Sequence, residues 1–594
     1  IAGAMDSYSL SQPTGSSLIG FIQAGSGAVA RTAQSKMRDF VTPLDFGAVG
    51  NGTADDTSAI VSMLAVQKPV NWLGLSYKIT SPILQVCTTD VVWEGQDATI
   101  TYSPGAHSEY GIRLTCSGSF QLLFSNLKIS GSKLCNKVFE IQNHVNNTVA
   151  ECSVLAINLR VEKAKRISTF FGGGGLTITG AFSNVHLIGG GASDCELPSG
   201  QGTVGVVGIV GIAVVTYSNT SYTKRLITDN ISINKVYSSD LTYQTDQDGL
   251  LYFGADDTDG SKKPSELVCI NGSSFINCYG RSIKTQSKST LVDGAYFERT
   301  EGLSSLHGNT EVDIQTGSGI CSNSTSVYKN GYQPGAIYEG GSGLNRGNPG
   351  LTVSNCEAYM DAATTLSIFA TVFPRDGYFS KILVTDCKVY GKCVKLVDYL
   401  CNGDVNFLEV TDCYMDTLVN GETSAKGMIY VRTSGPDSPY YAYITASGNV
   451  YNNTGSPAVQ IDGVPGTGMN SSLSAWNNYG FSDSVAYKST NSGFKGIQVA
   501  RLGKMTSGYD TIGYTEVISR VITTGASATF PVANVQGCII MVQVSYNSTA
   551  YALVSSTPAT NTSIAVGAAF NIGNNADPGA GIFRSCDAFS SLQF

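Results

Sequence analysis

Along most of this chain, apolar residues come in runs of three to five, bounded by Gly, Asn, Asp and Ser. Leu122-Leu123-Phe124, Leu127-Lys128-Ile129, Leu176-Thr177-Ile178, Val185-His186-Leu187 and Ile231-Ser232-Ile233 are examples. Runs this short, with turn residues between them, predict strands. One helix is expected near the start. Ile60, Val61, Leu64 and Ala65 follow at helical spacing, with Asp55 and Asp56 supplying negative charge ahead of them. Asn51-Gly52 marks a turn before the helix and Pro69 stops it.

The strands repeat. Val353-Ser354-Asn355-Cys356, Val384-Thr385-Asp386-Cys387 and Val410-Thr411-Asp412-Cys413 write one signature, V-[ST]-[ND]-C, with starts 31 and 26 residues apart. A period of that length, built from strand formers and a polar turn, predicts a solenoid. Two rungs align within 267–299: Leu267-Val268-Cys269-Ile270 with Thr290-Leu291-Val292, and Phe275 with Phe297. At ~25 residues per rung over ~400 residues, with ~4.8 Å between strands, the body would be roughly 60–75 Å long. The helix then covers the open edge of the first rung. A solenoid offers a long ribbed surface, which suits a polymer. The pattern weakens after Trp476, and from about 500 the strands become longer and more apolar, as in Val517–Ile522 and Cys538–Val544. The expected organisation is an arm or linker over 1–40, a capping segment over 41–70, the solenoid over 71–499 and a β-sandwich-like domain over 500–594.

A net charge of −8, from 37 Lys plus Arg against 45 Asp plus Glu, argues against a nucleic-acid partner, which needs a basic footprint. The 15 Cys are an odd number. Several occupy matching positions of the repeat, so they read as small buried thiols in the reduced state. If a bridge between rungs exists, Cys393 and Cys401 are the expected pair. No basic region followed by an apolar run opens the chain, so no signal peptide is expected, and Gly-Ala-Met within Ile1–Ser7 reads as a cloning scar. Val204–Val215 is too short to span a bilayer, and no membrane insertion is expected. The four His (His107, His144, His186, His307) do not pair at metal-ligand spacing, and His186, inside a strand, reads as structural. Gly172–Gly175 lacks the Lys and Ser/Thr of a phosphate loop. No metal and no cofactor are expected.

The segment Asp45-Phe46-Gly47-Ala48-Val49-Gly50-Asn51-Gly52-Thr53-Ala54-Asp55-Asp56-Thr57 and the helix after it resemble the opening of the pectate-lyase-like right-handed β-helix family. With a Gly-rich arm before and a β-rich domain after, the layout resembles a bacteriophage tailspike. That resemblance implies an all-β chain built on a right-handed parallel β-helix. It further implies a homotrimer carried on the phage tail or baseplate through the N-terminus, a C-terminal domain for trimerisation or carbohydrate binding, and depolymerisation of bacterial capsule or O-antigen polysaccharide at the host surface.

Two reactions fit such a wall. Glycoside hydrolysis needs two carboxyl groups across the scissile bond. Elimination on a uronic acid needs a base, with cationic groups holding the sugar carboxylate. The densest carboxylate region runs from Tyr243 to Asp259 and holds five Asp around the apolar run Leu250–Phe253. Asp is also an ordinary turn residue. Downstream, if Ile283 points inward, alternation turns Ser282, Lys284 and Gln286 outward. One rung later Tyr296 and Glu298 point outward around Phe297, and Glu301 follows in the turn. The catalytic candidates are Asp246, Asp248, Asp257, Glu298 and Glu301, with Glu266 behind them. The expected substrate-binding residues are Arg281, Lys284, Gln286 and Tyr296. A lyase would use Lys284, Arg281 or a Tyr of the same wall, and an adhesin that binds without cutting remains the third reading.

Overall fold

The computed structural model describes residues 6–143, 152–167, 173–198, 208–216, 222–239, 247–253, 267–301, 310–332, 334–341, 350–361, 368–372, 379–391, 393, 395–401, 405–416, 428–433 and 441–451. Beyond these it describes 459–463, 472–476, 487–489, 498–501, 516–518, 529–531, 539–546, 549–556, 584–586 and 591–593. The chain coils as a right-handed parallel β-helix whose rungs each contribute to three sheets. Sheet A runs through Ser108–Cys116, Cys135–Asn143, Gly173–Thr179, Ile209–Val215, Asp248–Phe253, the first halves of Ile283–Asp293 and Thr310–Ser322, then Ala336–Gly340, Ile368–Val372, Lys395–Cys401 and Ile429–Thr433. Each pairs in parallel with the strand before it. Sheet B carries Arg225–Asp229, Leu267–Asn271, Gly350–Ser354, Phe379–Thr385 and Val405–Thr411. Sheet C carries Ser232–Ser238, Ser274–Cys278, Tyr296–Arg299, Thr325–Tyr328 and Glu357–Met360.

Because strand side chains alternate faces, each sheet sends one column inward. In sheet A, Ile283, Val312, Tyr338, Ala370 and Val397 stack in register and are buried. The rung alignment over 267–299 holds: Val268 pairs with Thr290, and Phe275 pairs with Phe297 with their rings stacked at 5.5 Å.

The V-[ST]-[ND]-C signature is the corner between sheets B and C. Asn355, Asp386 and Asp412 adopt left-handed backbone (φ 49°, 54° and 56°), as do Asn126, Asn158, Asn230 and Asn323 on other rungs. Asn and Asp tolerate this conformation better than other non-Gly residues. The side chains ladder along the corner: Asn355 donates to Asn323 at 2.7 Å and Asn158 to Asn126 at 2.9 Å. The following Cys turns inward. Cys356, Cys387 and Cys413 each donate to the carbonyl two residues back, at 3.2–3.3 Å. Eleven cysteines, among them Cys278, Cys321, Cys356, Cys387 and Cys413, are buried thiols. Cys393 is buried and donates to the Lys395 carbonyl at 3.1 Å; the side chain of Cys401, its expected partner, lies outside the described part of the structure.

The capping helix is Thr57–Ala65, ending before Pro69. Its buried stripe is Ala59, Ile60, Met63 and Leu64, one position off the expected one. Val61 and Ala65 face solvent. Asp56 accepts from the Val49 amide at 2.6 Å, whereas Asp55 accepts from the Thr57 amide. The arm contains two five-residue helices, Ser7–Ser11 and Ala33–Met37. Parallel pairing continues through Gln498–Arg501, and Glu516–Ile518 then pairs antiparallel to it. Further on, Ile539–Tyr546 and Thr549–Ser556 form an antiparallel pair. No helix among the described residues is long and apolar enough to cross a membrane.

Candidate active site on the outer face of sheet A

On the outward side of sheet A the residues change character midway. The lower rungs present Val210, Ala213, Val215 and Leu251, a buried apolar patch with Phe253 packed against it. Above them lies a polar column in register on five consecutive rungs: Lys284, Asp313, Glu339, Thr371 and Asp398. At ~4.8 Å per rung the column spans about 19 Å.

Arg281 organises its lower part. The guanidinium contacts Asp248 at 3.3 Å and Asp313 at 2.8 Å. Asp248 is fully buried, whereas a fifth of the Arg281 side chain reaches solvent. Gln315 donates to Asp313 at 3.0 Å, and Gln286 donates to Gln315 at 2.9 Å. Lys284 packs its ammonium over the Phe253 ring at 5.4 Å. At the upper end Lys395 contacts Asp398 at 2.6 Å and lies 4.3 Å from the Tyr430 ring.

Asp313 and Glu339 are direct neighbours on adjacent rungs. Two carboxylates so placed repel. Burial pushes the Glu339 carboxyl up to about 8, the charge of Asp313 adds to this, and Arg281 works against it. Glu339 therefore holds its proton at neutral pH, while Asp313 sits in the ion pair with Arg281. Adjacent carboxyl groups in environments this different can divide the acid and base roles.

The sequence-level candidates separate. Arg281, Lys284 and Gln286 belong to this face together with Asp248. Lys284 and Gln286 take the expected outward side of the sheet yet are nearly buried: alternation sets which side a residue takes, not what covers it. Ser282 turns inward and donates to Glu311. Tyr296 and Glu298 do point outward, but from sheet C, so they do not share a wall with Lys284. The Tyr296 hydroxyl donates to Glu298 at 2.5 Å. Glu301 is half exposed and meets Lys235 at 3.2 Å. Asp246, Asp257 and Glu266 lie outside the described residues. His186 contacts Asp229 at 2.6 Å, and His107 contacts the Lys165 carbonyl. No metal-binding group of His, Cys, Asp or Glu occurs among the described residues.

Asp313, Glu339, Gln315 and Asp398 were not among the expected site residues. The usable signal was spacing. Val312-Asp313-Ile314 and Tyr338-Glu339-Gly340 each set one acid among apolar residues, 26 positions apart, the same interval as between two of the corner signatures.

No family model matches the chain. It is 34% identical over 85 residues to the tail spike protein of an Escherichia phage, a match covering 14% of this chain and 10% of that relative's length. Among solved structures, it is similar to a point mutant of the tailspike of E. coli bacteriophage HK620 in complex with a pentasaccharide (10% identity, 99% of this chain and 95% of that one, TM-score 0.45). It is also similar to tailspike protein 3 of bacteriophage CBA120 (11% identity, 92% and 73%, TM-score 0.38).

Proposed function

We propose that this chain is a phage tailspike that binds bacterial surface polysaccharide along the outer face of sheet A and hydrolyses it with Asp313 and Glu339. The observation that carries the reading is the in-register pair on adjacent rungs, one member ion-paired with Arg281 and the other protonated at neutral pH. Glu339 donates its proton to the glycosidic oxygen, and Asp313 attacks C1 or directs water onto it. Arg281 and Gln315 hold the Asp313 carboxylate in place. Lys284 stands next to Asp313 on the column, and Asp398 extends it two rungs beyond Glu339. The match to the tail spike of an Escherichia phage supports the virion tail as the protein's location. In this reading residues 1–40 attach it to the particle, the β-helix carries the chemistry, residues 500–594 form a separate β domain, and three copies assemble.

Incubation with host capsule or O-antigen tests the reaction. New reducing ends without the ultraviolet absorbance of an unsaturated uronate are expected. That absorbance would replace hydrolysis by elimination, with Lys284 or Arg281 at the sugar. Binding with neither signal would leave an adhesin.

A further inference from the structure

Inside the solenoid, at the turn from sheet C into sheet A, a column of residues runs through Gly249, Ser282, Glu311, Ile337, Phe369 and Leu396. Of these six, only Glu311 is charged, and it is fully buried. Its partner is Arg299, the inward-pointing end of Tyr296–Arg299, at 2.5 Å. A buried ion pair is costly to desolvate, and apolar residues of similar volume often replace one without loss of stability. The neighbouring rungs do so with Ile337 and Phe369. Fold stability is thus a poor account of why this rung keeps the pair.

Its contacts supply another account. Arg299 donates to the Gly280 carbonyl at 2.9 Å and the Tyr279 carbonyl at 3.3 Å. Glu311 accepts from the Ser282 hydroxyl. The pair thus grips residues 279, 280 and 282 from inside, on both sides of Arg281, whose side chain leaves through the sheet to Asp248 and Asp313. Glu311 also lies two residues before Asp313 on the same strand. Burial and then the charge of Glu311 push the neighbouring Tyr328 phenol well above its ordinary value, so Arg299 balances that charge in a dry interior.

We propose that Arg299 and Glu311 are positioning residues, which fix the guanidinium of Arg281 against Asp313 from the inside of the coil. The inference rests on the assignment of Asp313 and Glu339 as the reacting pair. The charged groups facing Glu339 are Asp313 and Arg281, with Thr371 on the rung above. Loosening Arg281 leaves the Asp313 charge less compensated, so the proton on Glu339 is held to higher pH.

Two variants test this: Arg299→Met with Glu311→Leu, which refills the interior with apolar volume, and Arg299→Lys, which keeps the charge but not the fork onto residues 279 and 280. Crystal structures of both are expected to show Arg281 withdrawn from Asp313. Turnover of the polymer should fall by at least about tenfold, with the basic limb of the pH–kcat profile moved upward. An unchanged Arg281–Asp313 contact in a folded variant overturns the positioning role, whether or not polymer is cut. A withdrawn Arg281 with wild-type turnover and pH profile overturns its link to the chemistry. Failure of the underlying assignment shows separately, as full activity in Asp313→Asn and Glu339→Gln.

Discussion

Asp313 and Glu339 face each other across one step of the solenoid, in register and on the outer side of sheet A, with Arg281 paired to the first and dehydration acting on the second. The parallel ladder enforces this closeness, because strands one rung apart leave directly paired residues only ~4.8 Å of separation. A charge that cannot move away is relieved by binding a proton. If that proton is the catalytic one, Glu339→Gln and Asp313→Asn should each lower polymer cleavage by roughly 10²–10⁴-fold while leaving oligosaccharide binding intact. Product release from purified capsule or O-antigen measures the first effect and calorimetric titration the second. Retention of most activity in both variants would move the chemistry elsewhere.

The same pair predicts a pH dependence of stability. The Glu339 carboxyl is raised from its ordinary value of 4.5 to about 8 in the fold, so between those values the native state holds a proton that the unfolded chain releases. Stability from this group is therefore complete below about 4.5 and declines as pH rises through about 8. Glu339→Gln abolishes the dependence. Its unfolding temperature relative to wild type should rise between pH 5 and pH 9. A constant difference across that range would mean that Glu339 titrates normally.

Arg281 joins two buried carboxylates, Asp248 and Asp313. Removing one partner of a buried pair strands the other, at a cost of roughly 3–5 kcal/mol. Arg281→Met should therefore destabilise the protein more than Asp248→Asn does, since the Asn leaves no buried charge behind. Unfolding midpoints compared at one heating rate read this directly, and the reverse order would remove Arg281 from its bridging role.

The parts of this molecule set by local constraints were legible in the chain. A corner that needs left-handed backbone selects Asn, Asp or Gly, and the inward residue after it selects a small thiol, so V-[ST]-[ND]-C showed the rungs. The pairing of Phe275 with Phe297 followed from the same regularity. The site was harder to see, because its defining relation is between residues on different rungs. Asp313 and Glu339 are each a single acid in an apolar strand. The stretch 243–259 is the densest in Asp, yet its described member, Asp248, is buried against Arg281. Lys284 and Glu298 are close in sequence but stand on different sheets, because Ile283–Asp293 runs through sheet A into sheet B before the chain reaches Tyr296.

The corner ladder gives a test of the scaffold apart from the chemistry. Asn355 has φ 49° and donates to Asn323 on the rung before it. Gly at this position keeps the left-handed conformation free of strain but loses the side-chain bond. Ala loses the bond and adds a Cβ penalty of about 1–2 kcal/mol, and a β-branched side chain strains the corner further. The expected order of unfolding temperature is wild type, then Asn355→Gly, then Asn355→Ala, then Asn355→Val, with polymer cleavage unchanged while each variant remains folded. The loss should be modest in Asn355→Gly, because an exposed side-chain hydrogen bond contributes about 1 kcal/mol. Were Asn355→Ala to match or exceed Asn355→Gly in stability, the left-handed corner would not be what this position selects for.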